Sequence, residues 1–325
     1  MFSFLNVIAV VILVTFNAGL YAAELVKAFD PKTEGLPEAI ATDLMGNLYT
    51  SMGPANSVIK LNSKGTILER FDLNGVVPDS FSAGLAVAWN RDIFVNVNAN
   101  STDARSVWRI QQDGTITKYA DIESAAPGFI NGMTIDRHDN LYVSDSKTKK
   151  IYKIDPAGKA SDWFFDAALE GDGAVLGEEN PIGANGVALS PSQQHLYVAN
   201  MDKGTILRIK INRDGSAGSI KEIANDSLLI GTDGINFDRH GKLYGAVNKY
   251  NRIVRISVGN GSVTVIEEQG ENLDFPTDLV FGKGRNSFTL LYIANASLLT
   301  GASPALLKIK EGELLRHSKR SQEED

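Results

Sequence analysis

The stretch TDGINFDRHGKLYGAVNKYNRIVRISVGNGSVTVI, residues 232–266, decides the fold of this 325-residue chain. It contains four short apolar runs separated by polar turns, for example Gly241-Lys242 directly before Leu243-Tyr244. Short runs of this kind, set between turn residues, are typical of β-strands and have no competing helical period. The stretch therefore predicts four consecutive strands.

The same pattern recurs along the whole chain. Each repeat is marked by an aliphatic-aromatic pair in its second strand. The six pairs are Leu48-Tyr49, Ile93-Phe94, Leu141-Tyr142, Leu196-Tyr197, Leu243-Tyr244 and Leu291-Tyr292. Their aromatic positions are separated by 45, 48, 55, 47 and 48 residues. Four short strands per repeat, six times over, indicate a β-propeller. We predict an all-β fold with six four-stranded blades, forming one domain over residues 24–316.

The sixth repeat is short, which bears on how the ring closes. Residues 24–29, ELVKAF, resemble the fourth strand of a blade. We therefore expect this N-terminal strand to complete the sixth blade, with residues 312–316 as the competing segment. The charged segment 317–325 is predicted to be a disordered tail.

The N-terminal 23 residues have the pattern of a signal peptide. An apolar run covers residues 7–14, and Ala22-Ala23 offers small residues for cleavage. An uncleaved anchor is the alternative, but Asn17 and Gly19 interrupt a stretch that is already shorter than the roughly 20 apolar residues of a membrane span. We expect a secreted or periplasmic protein with no stable membrane span after cleavage.

Composition excludes two classes of function. The net charge is −7 and no basic stripe is present, so nucleic acid is not an expected partner. The chain has no cysteine, which excludes disulfides, thiol catalysis and thiolate metal sites.

One position, at the entrance of each innermost strand, carries the candidate site. Counting back from the aromatic residues gives Glu38, Ala83, Asn131, Asn185, Asp233 and Thr277. Innermost strands line the central channel, so these side chains should converge on its axis. Carboxylate and amide oxygens without His or Cys favour a hard divalent cation, Ca²⁺ first, with Mg²⁺, Mn²⁺ or Zn²⁺ as alternatives.

A simpler interpretation of these residues remains open. Asn131, Asn185 and Asp233 each precede a glycine, as in an ordinary Asx turn before a strand. Glu38 does not fit this interpretation, because its side chain is too long for such a turn.

Three of these positions also resemble the motifs of a known family. The triplets PEA at 37–39, ANG at 184–186 and TDG at 232–234 are similar to the E-G, S-N-G and P-D-G motifs of gluconolactonases. From about residue 24 to residue 311 the chain resembles the SMP-30/gluconolactonase/regucalcin superfamily, six-bladed propellers related to paraoxonases and strictosidine synthase-like proteins. The resemblance implies that Glu38, Asn185 and Asp233 bind a divalent metal, and that Asn131 binds metal or substrate.

The chain departs from this family at the substrate position. The sugar lactonases have an arginine two residues before the matching asparagine, and this chain has Phe129 there. Phe129 and Asn131 are therefore the predicted substrate-binding residues, for a lactone or ester more apolar than a sugar acid.

The histidine dyad of the paraoxonases is also missing. His138, His195 and His240 fall in or beside turns between first and second strands, on the face opposite the predicted metal, and His317 lies in the tail. We expect none of them to be a general base.

These observations predict a metal-dependent hydrolase that acts on a lactone or related ester through a metal-activated water. Asp233 would be both ligand and general base, and Glu38 would mainly hold charge and geometry. One alternative is a non-catalytic propeller, pinned by metal, that binds a ligand or a partner. Another is a strictosidine-synthase-like condensing enzyme, although such proteins tend to lack these metal residues.

Two sets of residues are predicted near the mouth of the channel. Residues 166–183 account for the longest repeat and have the length of a lid. Asp145, Asn200, Asn248 and Asn295 follow their aromatic residues closely and either line the mouth or make ordinary turns.

Overall fold

The computed structural model describes residues 23–101, 103–123, 126–268, 272–284, 287–299 and 304–310. It confirms an all-β propeller of six sheets, each made of four antiparallel strands. The predicted signal peptide (apart from Ala23), the segment 312–316 and the tail lie outside the described residues. The boundaries given to them stay predictions.

The first three blades follow one another along the chain, each from its innermost to its outermost strand. Blade one contains β2 (Pro37–Thr42), β3 (Leu48–Met52), β4 (Ser57–Leu61) and β5 (Ile67–Asp72). Blade two contains β6 (Ser80–Val87), β7 (Ile93–Ala99), β8 (Arg105–Ile110) and β9 (Ile116–Asp121). Blade three contains β10 (Ile130–Ile135), β11 (Leu141–Asp145), β12 (Lys150–Ile154) and β13 (Ala160–Phe165).

Blades four and five have the same strand order. The 3₁₀ turns of the described residues lie in connections between strands. Blade four contains β14 (Ala184–Leu189), β15 (His195–Asn200), β16 (Thr205–Ile211) and β17 (Ala217–Asn225). Blade five contains β18 (Thr232–Phe237), β19 (Leu243–Val247), β20 (Arg252–Ile256) and β21 (Val263–Glu268). The described 3₁₀ turns are Gly53–Ala55, Ala167–Leu169, Ser227–Leu229 and Asn248–Tyr250.

Blade six joins the two ends of the chain. Its inner strands are β22 (Pro276–Phe281), β23 (Leu290–Asn295) and β24 (Ala305–Lys310), and its outermost strand is β1 (Glu24–Ala28). Glu24 pairs with Lys308 and Ala28 pairs with Ala305, in an antiparallel ladder. The prediction that the N-terminal strand closes the ring is confirmed.

The recurring aromatic residue of the second strand is buried between adjacent blades. Tyr197 packs against Phe237 of the next blade with ring centroids 5.0 Å apart, and Tyr244 packs against Phe281 at 5.1 Å. Edge-to-face pairs of this kind add about 0.5–1.5 kcal/mol to the burial of the rings. The repeat seen in the sequence therefore marks the blade interfaces.

Acidic residues hold the turns between first and second strands. In blade one, the carboxylate of Asp43 accepts hydrogen bonds from the amides of Met45 and Asn47, both at 2.9 Å. Its other oxygen accepts from the Tyr49 hydroxyl at 2.9 Å. The turn is thereby tied to the buried aromatic residue, and the carboxylate points inward. Among the described residues, no helix is long and apolar enough to span a membrane.

Candidate metal centre and active site

A bulge at the start of each innermost strand builds the centre of the molecule. In blade one, Pro37 pairs with Met52 and Ile40 pairs with Thr50, so two residues of β2 lie opposite one residue of β3. The first of the two is the position predicted to face the axis. The second is small in five blades, where it is Ala39, Gly84, Gly132, Gly186 or Gly234.

The glycines allow neighbouring inner strands to approach closely. A Cβ atom on Gly84 would lie 2.1 Å from the carbonyl oxygen of Asn131, and one on Gly186 would lie 2.2 Å from that of Asp233. Both distances are too short for any side chain. The missing side chains therefore bring the polar residues of adjacent blades to one axis.

Four predicted residues line one cavity in the central channel. Glu38, Asn131, Asn185 and Asp233 all contribute to its wall, and its volume is about 130 Å³. None of the four accepts or donates the local backbone hydrogen bond of an Asx turn, although all four are among the described residues. The structure thus brings together the predicted set, while its role as ligands stays a prediction.

Blade six contributes a carboxylate that the sequence analysis missed. The hydroxyl of Thr277, the predicted position, donates to the carbonyl of Pro37 at 3.2 Å. The next residue, Asp278, lines the cavity and spans two blade interfaces. Its Oδ2 accepts from the amide of Ile40 in blade one at 3.0 Å, and its Oδ1 lies 2.0 Å from the place that a Cβ of Gly234 in blade five would take.

Three carboxyl groups therefore share the cavity, and their pKa values rise. Burial raises the pKa of Glu38 to about 7, and the charge of Asp278 adds to the increase. Burial also raises the pKa of Asp278 to about 7, against two backbone hydrogen bonds that lower it. The pKa of Asp233 is well above its usual range because of burial first and then the charges of Glu38 and Asp278. Ionised together, these groups repel one another.

The surrounding amides fix this cluster. Asn248 Nδ2 donates to Asp233 Oδ2 at 3.1 Å, while Asn248 Oδ1 is buried and has no hydrogen-bond partner. Asn185 Nδ2 lies 3.3 Å from the sulfur of Met201, and Asn131 Nδ2 donates to the hydroxyl of Ser146 at 3.3 Å. Asn248 is therefore a mouth residue of the site, one of the four whose role the sequence left open.

The donor set suits a hard cation in chemistry and in charge. Within the described ranges, no Lys or Arg forms an ion pair with Glu38, Asp233 or Asp278. A dication would compensate this buried negative charge, and its preferred ligands are oxygens of this type. The same ranges contain no group of three Asp, Glu or His side chains close enough to hold a metal ion alone, so the amide oxygens of Asn131 and Asn185 would have to complete the set.

Phe129 lies beside this cavity and does not line it. It directly precedes β10 on the mouth side, and its ring packs against Phe81 with centroids 5.7 Å apart. The Phe129 amide donates to Asp145 Oδ1 at 3.1 Å, and Asp145 forms a buried ion pair with Arg105 at 2.8 Å. The two rings therefore form an apolar surface on a rigid base.

The predicted lid is a loop anchored from below. Asp202 is buried and accepts from the amides of Gly173 at 2.8 Å, Val175 at 3.0 Å and Ile182 at 2.7 Å. Lys249 of blade five donates to the carbonyl of Ala174 at 3.0 Å. These contacts anchor the loop beside blade four, which carries Asn185.

Two histidines, His138 and His240, lie in the turns where the sequence predicted them. His138 and His240 are exposed in first-to-second turns, and His195 is the first residue of β15 rather than a turn residue. His317 lies outside the described residues. None of the three described histidines lines the axial cavity.

Residues 102–297, more than half of the chain, match the family described as "SMP-30/Gluconolactonase/LRE-like region". No curated protein matches the chain significantly. A calcium-binding protein, regucalcin, from Agrobacterium tumefaciens has a TM-score of 0.67 at 15% identity, over 89% of this chain and 93% of that one.

Two further solved structures have different activities. A gluconolactonase from Xanthomonas campestris has a TM-score of 0.62 at 16% identity, over 85% of this chain and 87% of that one. Virginiamycin B lyase from Staphylococcus aureus has a TM-score of 0.59 at 17% identity, over 87% and 88%. At such low identity these similarities concern the fold alone.

Proposed function

The chain belongs to the SMP-30/gluconolactonase/LRE-like family, and on this premise we propose that it is a divalent-cation-dependent hydrolase of a lactone or related ester. One observation carries the proposal. Glu38, Asp233 and Asp278 place three carboxyl groups in one axial cavity, beside two amides; no described Lys or Arg is ion-paired with them, although Lys283 also lines the cavity. Structural carboxylates of this kind would normally be paired.

The cation would be held by Glu38, Asn131, Asn185 and Asp233, and Asp278 is the additional carboxylate that the structure brings to the set. Ca²⁺ is the proposed ion because irregular sets of oxygen ligands suit it better than Mg²⁺. When bound, the cation supplies Lewis acidity and activates a water molecule.

Asp233 is the proposed general base. It is the most buried of the three carboxyl groups, and Asn248 holds one of its oxygens in place at 3.1 Å. A carboxylate oriented in this way can accept the proton that the attacking water loses. Glu38 contributes charge to the same cavity, and Asn131 contacts cation or substrate.

The dimensions of the site favour a small, apolar substrate. The cavity of about 130 Å³ admits the reacting ring or ester group and little more, so the rest of the substrate must lie at the mouth. Phe129 and Phe81 offer an apolar surface there, where the sugar lactonases have an arginine. An aliphatic lactone or an aryl ester fits this surface better than a sugar lactone.

Turnover with and without chelator tests this function. Purified protein should hydrolyse at least one member of a panel of aliphatic lactones, sugar lactones and aryl esters, lose that activity in EDTA and regain it with Ca²⁺. Bound cation without turnover of any ester would instead favour the non-catalytic, metal-pinned propeller.

We also propose that the protein acts outside the cytoplasm. The support is the apolar run at residues 7–14 followed by Ala22-Ala23, together with the absence of cysteine from the chain. N-terminal sequencing of the mature protein tests this: a start near residue 23 or 24 is expected, and an intact N-terminus would contradict it.

A further inference from the structure

Large apolar side chains are exposed on the face opposite the mouth. This basal face consists of the turns between first and second strands, residues 43–47, 88–92, 136–140, 190–194, 238–242, 282–284 and 287–289, and of the turns between third and fourth strands, residues 62–66, 111–115, 155–159, 212–216 and 257–262. Leu44 is 49% exposed, Met45 is 74% exposed and Trp89 is 81% exposed. They come from neighbouring blades one and two, and Leu44 and Trp89 line one shallow cavity of about 330 Å³. Exposed patches of this composition mark interaction surfaces.

The basal face is also positively charged. The turn aspartates point inward: Asp43 accepts four hydrogen bonds, and Asp238 accepts from the amides of His240 and Lys242, both at 2.8 Å. The basic residues of the same turns point outward. Exposed on the described part of this face are the bases Lys64, Arg91, Arg137, Lys159, Arg213, Arg239, Lys242 and Lys283, against the exposed acids Asp113, Asp139 and Asp214.

Apolar and basic groups are adjacent rather than in separate regions. Arg91, Arg137 and Lys283 line the same cavity as Trp89 and Leu44. The chain as a whole has a net charge of −7, so this concentration of positive charge is local. Tryptophan beside Arg and Lys is the combination that anchors proteins in the headgroup region of a bilayer.

We propose that the basal face binds the surface of an anionic phospholipid membrane. Trp89, Met45 and Leu44 enter the headgroup region, and the surrounding arginines and lysines contact lipid phosphates. The apolar groups stand at turn tips around a shallow cavity, an uneven surface that suits a soft bilayer better than a folded partner with its own contour. The charge of the face complements an anionic leaflet.

This orientation leaves the mouth of the channel directed away from the membrane. Inner strands run from the mouth to the basal face, so Glu38 and Asp233 begin at the opposite end from Trp89. A docked propeller keeps its axial cavity open to solution. The inference is independent of the proposed hydrolysis, and either can fail without the other.

Vesicle binding of the full chain tests the proposal. The probes are vesicles of phosphatidylcholine alone and of phosphatidylcholine with phosphatidylserine. We expect binding to the anionic vesicles only, weakened by salt, with a blue shift of tryptophan emission. Arg137→Glu should weaken binding by about fivefold or more, since each basic residue near such a surface contributes about that factor. Trp89→Ala should remove the blue shift.

Matched controls lie on the outer strands. Phe165→Ala removes an exposed ring from β13, and Lys221→Glu reverses an exposed charge on β17, so both should bind as the wild type does. The apolar N-terminal run is common to all variants and cannot explain a difference between them. Equal binding to both kinds of vesicle, or unchanged binding by Trp89→Ala and Arg137→Glu, overturns the proposal. So does a Trp89-dependent dimer that ignores vesicles, which would identify the face as a contact between copies of the chain.

Discussion

Asp278→Asn should stabilise the cation-free protein and weaken its response to Ca²⁺. The substitution removes one of three negative charges from the axial cavity at almost constant volume. Without a cation, Glu38 and Asp233 lose the repulsion that each of them experiences from the charge of Asp278. With a cation present, the variant lacks one of the negative charges that attract the cation. A substitution that only damaged the structure would lower stability both with and without Ca²⁺, so opposite effects in the two buffers distinguish loss of a cation ligand from structural damage.

The magnitude follows from the pKa of Asp278, which burial raises from 3.8 to about 7. Ionising the group in the folded, cation-free protein therefore costs about 4 kcal/mol, a cost absent at acid pH that grows as the pH rises towards 7. Asparagine removes this cost but leaves the amide of Ile40 or Leu279 unpaired, which costs about 1–3 kcal/mol. The net gain is about 1–3 kcal/mol above neutral pH, or a few degrees in Tm.

Thermal unfolding in EDTA and in Ca²⁺, at acid and at slightly alkaline pH, measures both effects. A matched control is Asp202→Asn, since Asp202 is buried and accepts three backbone hydrogen bonds but lies outside the axial cavity. It should lower Tm equally in both buffers. If Asp278→Asn behaves as this control does, or keeps the full wild-type rise of Tm with Ca²⁺, the assignment of Asp278 to the cation site is wrong.

Three further predictions concern other parts of the chain. Asp233→Asn should retain much of the cation at saturating concentration yet lose about 10²- to 10⁴-fold in turnover, whereas the activity of Asn185→Ala should partly return with excess cation. If both variants keep the metal content and turnover of the wild type, Asp233 and Asn185 are only turn residues at strand entrances. Phe129→Arg should narrow the preference for an apolar lactone over gluconolactone, measured as kcat/KM, and a wild-type preference for gluconolactone would refute the role of this ring. Burial raises the pKa of Glu267 from 4.5 to about 7, so its ionisation lowers stability as the pH rises between these values; Glu267→Gln should gain up to about 3 kcal/mol in denaturant unfolding above pH 7, and none at pH 4.

The repeat in the sequence predicts the blades because each aromatic residue occupies the same interface. Tyr197 and Tyr244 contact the following blade in the same way, so their spacing along the chain is the spacing of blades around the ring. Ring closure by residues 24–28 was predictable from the same repeat. The sixth repeat is short and lacks a fourth strand of its own, so another segment of the chain had to supply that strand. The four axial residues followed from the strand register.

Counting positions along the repeats did not identify Asp278 or Asn248 as site residues. An insertion in the first-to-second turn of blade six shifts the count, and Asp278 takes the second bulge position, which is glycine or alanine elsewhere. Comparing both bulge positions in all six repeats would have revealed it. No local pattern distinguishes Asn248 from an ordinary turn residue, because its contact with Asp233 depends on how the turn folds back over the channel.

The pairing of β1 with β24 gives the fold an all-or-none character. In an open solenoid, each repeat contacts only its neighbours, and an end can fray without disturbing the middle. Here β1, the first described strand, pairs with β24, the last, so the contact between Glu24 and Lys308 closes a loop that contains nearly the whole propeller. The conformational entropy lost on closing the ring is a single cost that all six blades share. Stability is consequently a property of the ring, and deleting the five residues of β1 would open the ring of six blades rather than only remove one strand from it.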